Sequence, residues 1–320
     1  MITFTFLSGK QIEYDISKQY KGFDCEYFYH IKAYVLDENK YCYCSFRYNN
    51  KEINDTEKII NYKNKEIIVI KTNIYFKLRN WIDENKLNWN SLSENPNAIY
   101  LLENNQEKIN WNVLSENLNA IHLLEKNQDK INWNALSENP NAIHLLEKNQ
   151  DKINWNVLSE NSNAIHLLKE NINKINWREL SKNPNAINIL EKNINKIHWD
   201  YLSKNPNAIH LLEKYPDKID WSELSLNLNA IQLLEKYPDG IYWDYLSSNP
   251  NAISILEKNQ DKIVWEWLSK NKYAIHLLEK KITEIDWYWL SKNPNAINIL
   301  ENNSNKIMWG ILSSNPSIFE

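Results

Sequence analysis

Apolar positions recur along most of this chain at intervals of 22 residues. Tryptophan stands at 89, 111, 133, 155, 177, 199, 221, 243, 265, 287 and 309. A strict period of that length marks a tandem array, in which each short unit buries its apolar side against its neighbours. With each Trp numbered 0, position +3 is Leu, +4 is Ser and +6 is Asn in all eleven copies, from Leu92, Ser93 and Asn95 to Leu312, Ser313 and Asn315. Ten copies carry Ala at +9 and Ile at +10, and Leu or Ile followed by Leu fills +12 and +13.

Two short helices per unit account for these choices. The first begins at the Trp. In seven copies the residue before it is Asn or Asp, as in Asn132, Asp220 and Asp286, whose side chains accept hydrogen bonds from a free first turn. Ile, or Leu87 in the first copy, stands at −2, and its pairing with Leu +3 has the spacing of a hydrophobic staple. The second helix is expected to be capped by Asn +6, followed in seven copies by Pro, whose missing N–H needs no partner there. The broad apolar stripe from +9 to +13 continues it, and the small Ala at +9 marks a close helix crossing. Asn near +16, as in Asn149, is expected to stop it in a left-handed conformation. A leucine-rich horseshoe has a similar period, but aligning its Asn with +6 or +16 places polar residues where its leucines belong.

Such an array is expected to grow as an open rod or superhelix. The last copy reaches Glu320 with Ile318 and Phe319 in the apolar slots, so that end either frays or docks on another chain by self-association. At the other end, Tyr75, Phe76, Leu78 and Trp81 are expected to form a helix covering the first unit.

The columns differ in what they suggest. The Trp column shares a helix face with Leu +3 and reads as core, each indole removing about 150–250 Å² from water when buried. Ser +4 reads as a turn or capping residue. Histidine fills +11 in five copies, His122, His144, His166, His210 and His276. Rows about 10 Å apart are too distant to share a zinc at bonds of about 2 Å, so this is a solvated or ligand-facing row. At +2, small residues give way to Tyr201, Tyr245, Trp267 and Trp289, joined by Tyr288 at +1. These aromatics are either half-buried packing or a docking strip of the kind enriched at interfaces.

Composition changes near residue 80. Residues 1–80 hold Cys25, Cys42 and Cys44 and no Trp, and the odd cysteine set lacks zinc-ligand spacing. They carry 13 Lys/Arg against 10 Asp/Glu, which leaves the array 37 − 13 = 24 bases and 41 − 10 = 31 acids. A net acidic array disfavours nucleic acid, whose phosphates attract basic surfaces. The chain lacks an apolar run of membrane-spanning length and its start lacks the features of a secretory signal, so a cytoplasmic protein is expected, with no membrane partner. Only four glycines occur, too few for a phosphate-cradling loop. Enzyme activity, a cofactor and a bound metal are therefore not expected.

The first eighty residues read strand, turn, strand, helix, strand. ITFTF and IEYDI flank Ser8-Gly9-Lys10, residues 23–38 suit a helix, and CYCSFRY and EIIVI supply later strands. From Met1-Ile2-Thr3-Phe4 through Gly9-Lys10, and again over Phe46–Ile53, the segment resembles ubiquitin and its β-grasp relatives across about residues 1–72. Gly-Gly does not follow the last strand, so the resemblance implies no conjugation, and Arg47 falls where the family commonly presents an apolar patch. The resemblance leaves two roles open, a docking module or a folding cap. The units, written INWNALSENPNAIHLLEKNQDK at 131–152, are similar to tandem repeats of mimivirus-like giant viruses across roughly residues 87–320, which implies a viral protein in a host cytoplasm.

The expected architecture is therefore α+β with two domains. A ubiquitin-like β-grasp domain over 1–72 is followed by a linker and capping helix over 73–86 and an all-α solenoid of eleven short helix pairs over 87–320, the last incomplete. The expected function is a non-enzymatic scaffold for a protein partner, with ubiquitin-pathway machinery a candidate. Single-stranded RNA binding and a structural role in a virion are the alternatives.

Overall fold

The computed structural model describes residues 2–6, 11–14, 43–48, 51–53, 65–72 and 76–320. The chain divides into two units, Met1–Tyr75 and Phe76–Glu320. In the first, β1 (Ile2–Phe6), β2 (Gln11–Tyr14), β3 (Tyr43–Tyr48), β4 (Lys51–Ile53) and β5 (Glu66–Thr72) form one sheet in the order β2-β1-β5-β3-β4. Strand β1 runs parallel to β5, with Phe4 opposite Ile67, and antiparallel to β2; β3 is antiparallel to both β4 and β5. Ile, Val, Thr and aromatic residues suit such pleated segments. Ile67 is fully buried, and the Lys65 ammonium lies 5.7 Å from the centre of the Tyr48 ring. The helix expected over 23–38 and the cysteines Cys25 and Cys42 lie outside the described residues.

The second unit is helical, with a regular 22-residue repeat. In the copy beginning at Trp133, the first helix spans Trp133–Glu138, the second Ile143–Lys148, and a one-turn 3₁₀ helix Gln150–Lys152. In all seven copies where Asn or Asp precedes the Trp, that side chain accepts a backbone N–H of the first turn. The staple is also present, since residues such as Ile131 at −2 and Leu136 at +3 are buried.

Of two expectations about the second helix, the asparagine cap is met in part and the left-handed stop is corrected. The α-helix itself starts at Ile +10 with Ala +9 as its unbonded cap, but Asn139 and Asn293 each cap, with Pro next, a 3₁₀ turn that runs straight into it, Asn139 accepting the N–H of Asn141. The stop is not left-handed: Asn149 has φ −133° and ψ 50°. The Asn149 amide instead donates to the Leu145 carbonyl at 2.9 Å, so a side chain satisfies a carbonyl that the helix end leaves open.

Ser +4 and Asn +6 are buried in every copy, and both are fully employed. Each Ser Oγ donates to the carbonyl of its own Trp at 2.6–2.9 Å. It also accepts the backbone N–H of the residue before the next Trp, as Ser137 does from Asn154 at 3.0 Å. Each Asn +6 amide donates to two carbonyls of the preceding unit, those of its Ser +4 and Asn +6; Asn205 bonds Ser181 at 3.0 Å and Asn183 at 2.9 Å. Sharing one planar amide between two carbonyls and an N–H requires a side chain with both donor and acceptor ends, which explains the invariance of Asn.

The same ladder joins the two ends of the array. Asn95, in the first copy, donates to the carbonyls of Ser313 and Asn315, in the last, at 2.9 Å each. Asn88 N–H donates to Ser313 Oγ at 2.8 Å. First packs on last as second packs on first, so the helical unit closes into a ring of eleven and the expected open rod is corrected.

Residues 76–88 complete the eleventh copy. Leu78 forms an antiparallel bridge with Phe319, with Lys77 N–H to Glu320 O at 2.9 Å, Glu320 N–H to Lys77 O at 2.8 Å and Arg79 N–H to Ile318 O at 2.9 Å. A 3₁₀ turn over Glu84–Lys86 occupies the place held by Gln106–Lys108 in the first copy. The expected capping helix is therefore not formed over Phe76–Trp81, and Tyr75 lies outside the described residues. Ile318 and Phe319 are buried, covered within the same chain, which removes the apolar end on which self-association was expected.

The Trp column is half-buried, packed against the core on one side. Eight of its indoles carry the ammonium of Lys +19 at 4.3–4.9 Å from a ring centre. Trp199 and Trp221 instead meet Tyr215 and Tyr237 at tilted angles. The column is thus the edge of the core, and in eight copies it is flanked by a cation–π contact worth about 0.5–1 kcal/mol at exposed sites.

Candidate docking face of the first helices

Leu +3, Ser +4 and Asn +6 consume the inward positions of each first helix, so +1, +2 and +5 are left to face outward. Around the ring, the first helices are the elements in closest contact between neighbouring copies. Their +5 side chains converge: Lys292 Nζ reaches Glu94 Oε1 at 3.3 Å past the intervening copy, whose own +5 residue is Ser314.

Charge on this column is segregated. It reads Glu94, Glu116, Glu138, Glu160, then Lys182, Lys204, Leu226, Ser248, Lys270, Lys292 and Ser314. Burial, together with Glu138 and Glu94 on either side, raises the Glu116 carboxyl above its ordinary value. At the change of sign, Lys182 lies 2.6 Å from Glu179 and 3.3 Å from Glu160. Burial lowers its ammonium pKa, but the two carboxylates outweigh burial and hold it raised.

The aromatics of +2 sit beside these lysines. Tyr201 has the Arg178 guanidinium 4.5 Å and the Lys182 ammonium 4.7 Å from its ring centre. Lys270 Nζ lies 3.6 Å from the centre of the Trp267 ring and 3.8 Å from that of Trp289. Tyr245 meets Trp267 edge-on at 5.4 Å, and Tyr288 meets Trp289 edge-on at 5.0 Å. All but Tyr288, which is exposed, are half-buried. Burial lowers the Lys270 ammonium pKa, opposed by Glu266 and Asp286. Tyr201, Tyr245, Trp267, Tyr288 and Trp289 therefore lie on one arc, spread over the copies from Trp199 to Trp287, with Glu223 at +2 of the copy between Tyr201 and Tyr245.

The histidines form a separate row on the second helices. Each bonds the Glu at +14 of the preceding copy: His122–Glu103 at 2.8 Å, His144–Glu125 at 2.7 Å, His166–Glu147 at 2.8 Å, His210–Glu191 at 3.0 Å and His276–Glu257 at 2.9 Å. The row is thus a set of inter-copy pairs along the surface of the second helices. Sequence reasoning missed Arg178, Lys182 and Lys270. Their signal is legible at +5, where reading every twenty-second residue gives four acids and then bases.

The family model described as periplasmic copper-binding protein (NosD) matches residues 48–219, just over half of the chain. The chain belongs to this family. The match runs from the sheet-forming unit through the first six copies of the helical array, and what the NosD description says of copper is said of that family. No curated protein and no solved structure matches the chain.

The described residues do not fit copper. Among them no group of three or more His, Cys, Asp or Glu could hold a metal ion, and each +11 histidine is already engaged with a glutamate of the preceding copy. Among the described residues, too, no helix is long and apolar enough to cross a membrane.

Proposed function

We propose that this protein is a non-enzymatic scaffold that binds a protein partner on the first-helix face of its helical ring. The observation that carries the reading is the contrast between columns. Positions 0, +3, +4 and +6 repeat without change, whereas +2 and +5 vary from copy to copy and gather Tyr201, Tyr245, Trp267 and Trp289 beside lysines on one arc. Identical backbones with private side chains are how a repeat protein builds a specific surface, since the scaffold is conserved by packing and the outward residues are free to vary. Tyr and Trp anchors are the residue types that dominate such surfaces.

The sheet-forming unit is a second contact in this reading. Its strand order, with β1 and β5 parallel at the centre, supports a ubiquitin-like β-grasp domain, and such a domain suits docking to ubiquitin-pathway machinery. The similarity of the copies to giant-virus repeats supports a host cytoplasm as the setting.

The test is affinity capture from cells followed by mass spectrometry, with the parent chain and a Tyr201/Tyr245/Trp267/Trp289 quadruple alanine variant side by side. Loss of specific partners by a variant that keeps its helical circular dichroism supports the docking face. Retention of every partner overturns it.

A further inference from the structure

The two indoles that flank Lys270 define a seat for a cation. Trp267 and Trp289 are +2 residues of consecutive copies, and the ammonium lies between their faces, at 3.6 and 3.8 Å from the ring centres. Each indole is braced from the side by a tyrosine ring at nearly a right angle, 84° for Tyr245 and 85° for Tyr288. Two indole faces that meet one ammonium, each flanked by a tyrosine ring, is the kind of aromatic surface that recognises alkylated ammonium groups.

Lys270 itself is a poor permanent occupant. A primary ammonium carries three strong donors, which aromatic faces satisfy weakly, and no carboxylate lies within ion-pairing distance of it among the described residues. Lys182, by contrast, also touches a +2 ring but has two carboxylates within 3.3 Å. A methylated ammonium has fewer N–H donors to satisfy and more apolar surface to bury against the indoles.

We propose that Trp267 and Trp289, braced by Tyr245 and Tyr288, form a binding seat for a methylated ammonium group, and that Lys270 is the internal stand-in which a ligand displaces. The proposal rests on the docking reading above and names the chemistry recognised there. Methylated lysine on a peptide and a free quaternary amine share that chemistry, and the experiment separates them.

Lys270→Ser is the informative variant, because Ser occupies the same position in two other copies, Ser248 and Ser314, and the repeat accommodates it. Tetramethylammonium chloride, a trimethyllysine-containing peptide and its unmethylated counterpart are titrated by calorimetry into the full chain, Lys270→Ser and Lys270→Ser/Trp289→Ala, with sodium chloride as the ionic-strength control. Removing the competitor is expected to tighten tetramethylammonium binding by about ten-fold, and Trp289→Ala to abolish the gain. Trimethyllysine peptide binding more tightly than tetramethylammonium identifies a peptide-borne ligand; equal binding identifies a free amine.

Equal binding of tetramethylammonium by Lys270→Ser and the double variant overturns the seat, as does no gain over the parent chain. Should Lys270→Ser lose its helical circular dichroism, displacement is read on the parent chain: indole NMR resonances of Trp267 and Trp289 are expected to shift saturably with tetramethylammonium and not with sodium, and absence of that shift overturns the seat equally. If the seat fails while the quadruple alanine variant still loses partners, the docking face stands and only its assigned ligand is wrong.

Discussion

At the scale of the residue, the most consequential side chain is Asn +6. Its amide joins three backbone groups; for Asn205, the Asn183 carbonyl keeps the Ala186 N–H as a second partner, so removing the amide strips the Ser181 carbonyl and the Asn207 N–H, at about 1–3 kcal/mol for each such group. Asn205→Ala is expected to destabilise the helical unit by about 2–4 kcal/mol, read from the midpoint of urea unfolding. A loss below about 1 kcal/mol would show that water replaces the amide. His144→Gln makes the contrast, because the His144–Glu125 pair is at or above one-third exposed on both sides and its loss is expected to cost no more than about 0.5 kcal/mol in the same assay. Sequence made the invariance of Asn +6 plain and suggested capping. The reason for it lay elsewhere, because its amide bonds carbonyls 22 and 24 residues away, and local pattern says nothing about what a stacked neighbour offers.

Helix starts were the best-read elements. Capping needs only a side chain and the turn that follows it, both local, and all seven Asn or Asp caps formed. Four copies begin instead after His198, Tyr242, Val264 or Met308, without a side-chain cap. Met308 is exposed, so Met308→Asn gives up little burial and is expected to stabilise by about 0.5–1 kcal/mol in thermal or urea unfolding. Helix ends were read less well: Asn149 stops its helix by bonding a carbonyl at negative φ, a geometry that residue type alone does not distinguish from a left-handed stop. The +5 column adds a pH dependence. Because Glu116 is raised above 4.5 when folded, the folded state keeps a proton that the unfolded chain has already lost, and stability falls as pH rises through that interval. Glu116→Gln removes the loss, so the variant is expected to be more stable than the parent at neutral pH and equal to it below the ordinary glutamate value. A stability gap that stays constant across a pH series of urea melts would contradict this assignment.

The helical unit as a whole closes because eleven copies bring the first onto the last, with Phe76–Asn88 completing the final one. Deleting one full copy, residues 177–198, keeps every local pattern but changes the number that must meet. Hydrogen exchange is expected to show Phe76–Asn88 and Trp309–Glu320 losing protection together while the interior copies retain theirs; unchanged protection would mean that the curvature adapts to ten. The 22-residue period, the paired helices and their starts were all determined by the sequence alone, because each follows from side chains acting within a few residues or at a fixed repeat. Closure, the asparagine ladder, and the seating of Lys270 between Trp267 and Trp289 were decided only by the tertiary structure. A periodic sequence specifies how one copy sits on the next, but small rotations between copies accumulate, and only their sum determines whether the ends diverge or meet.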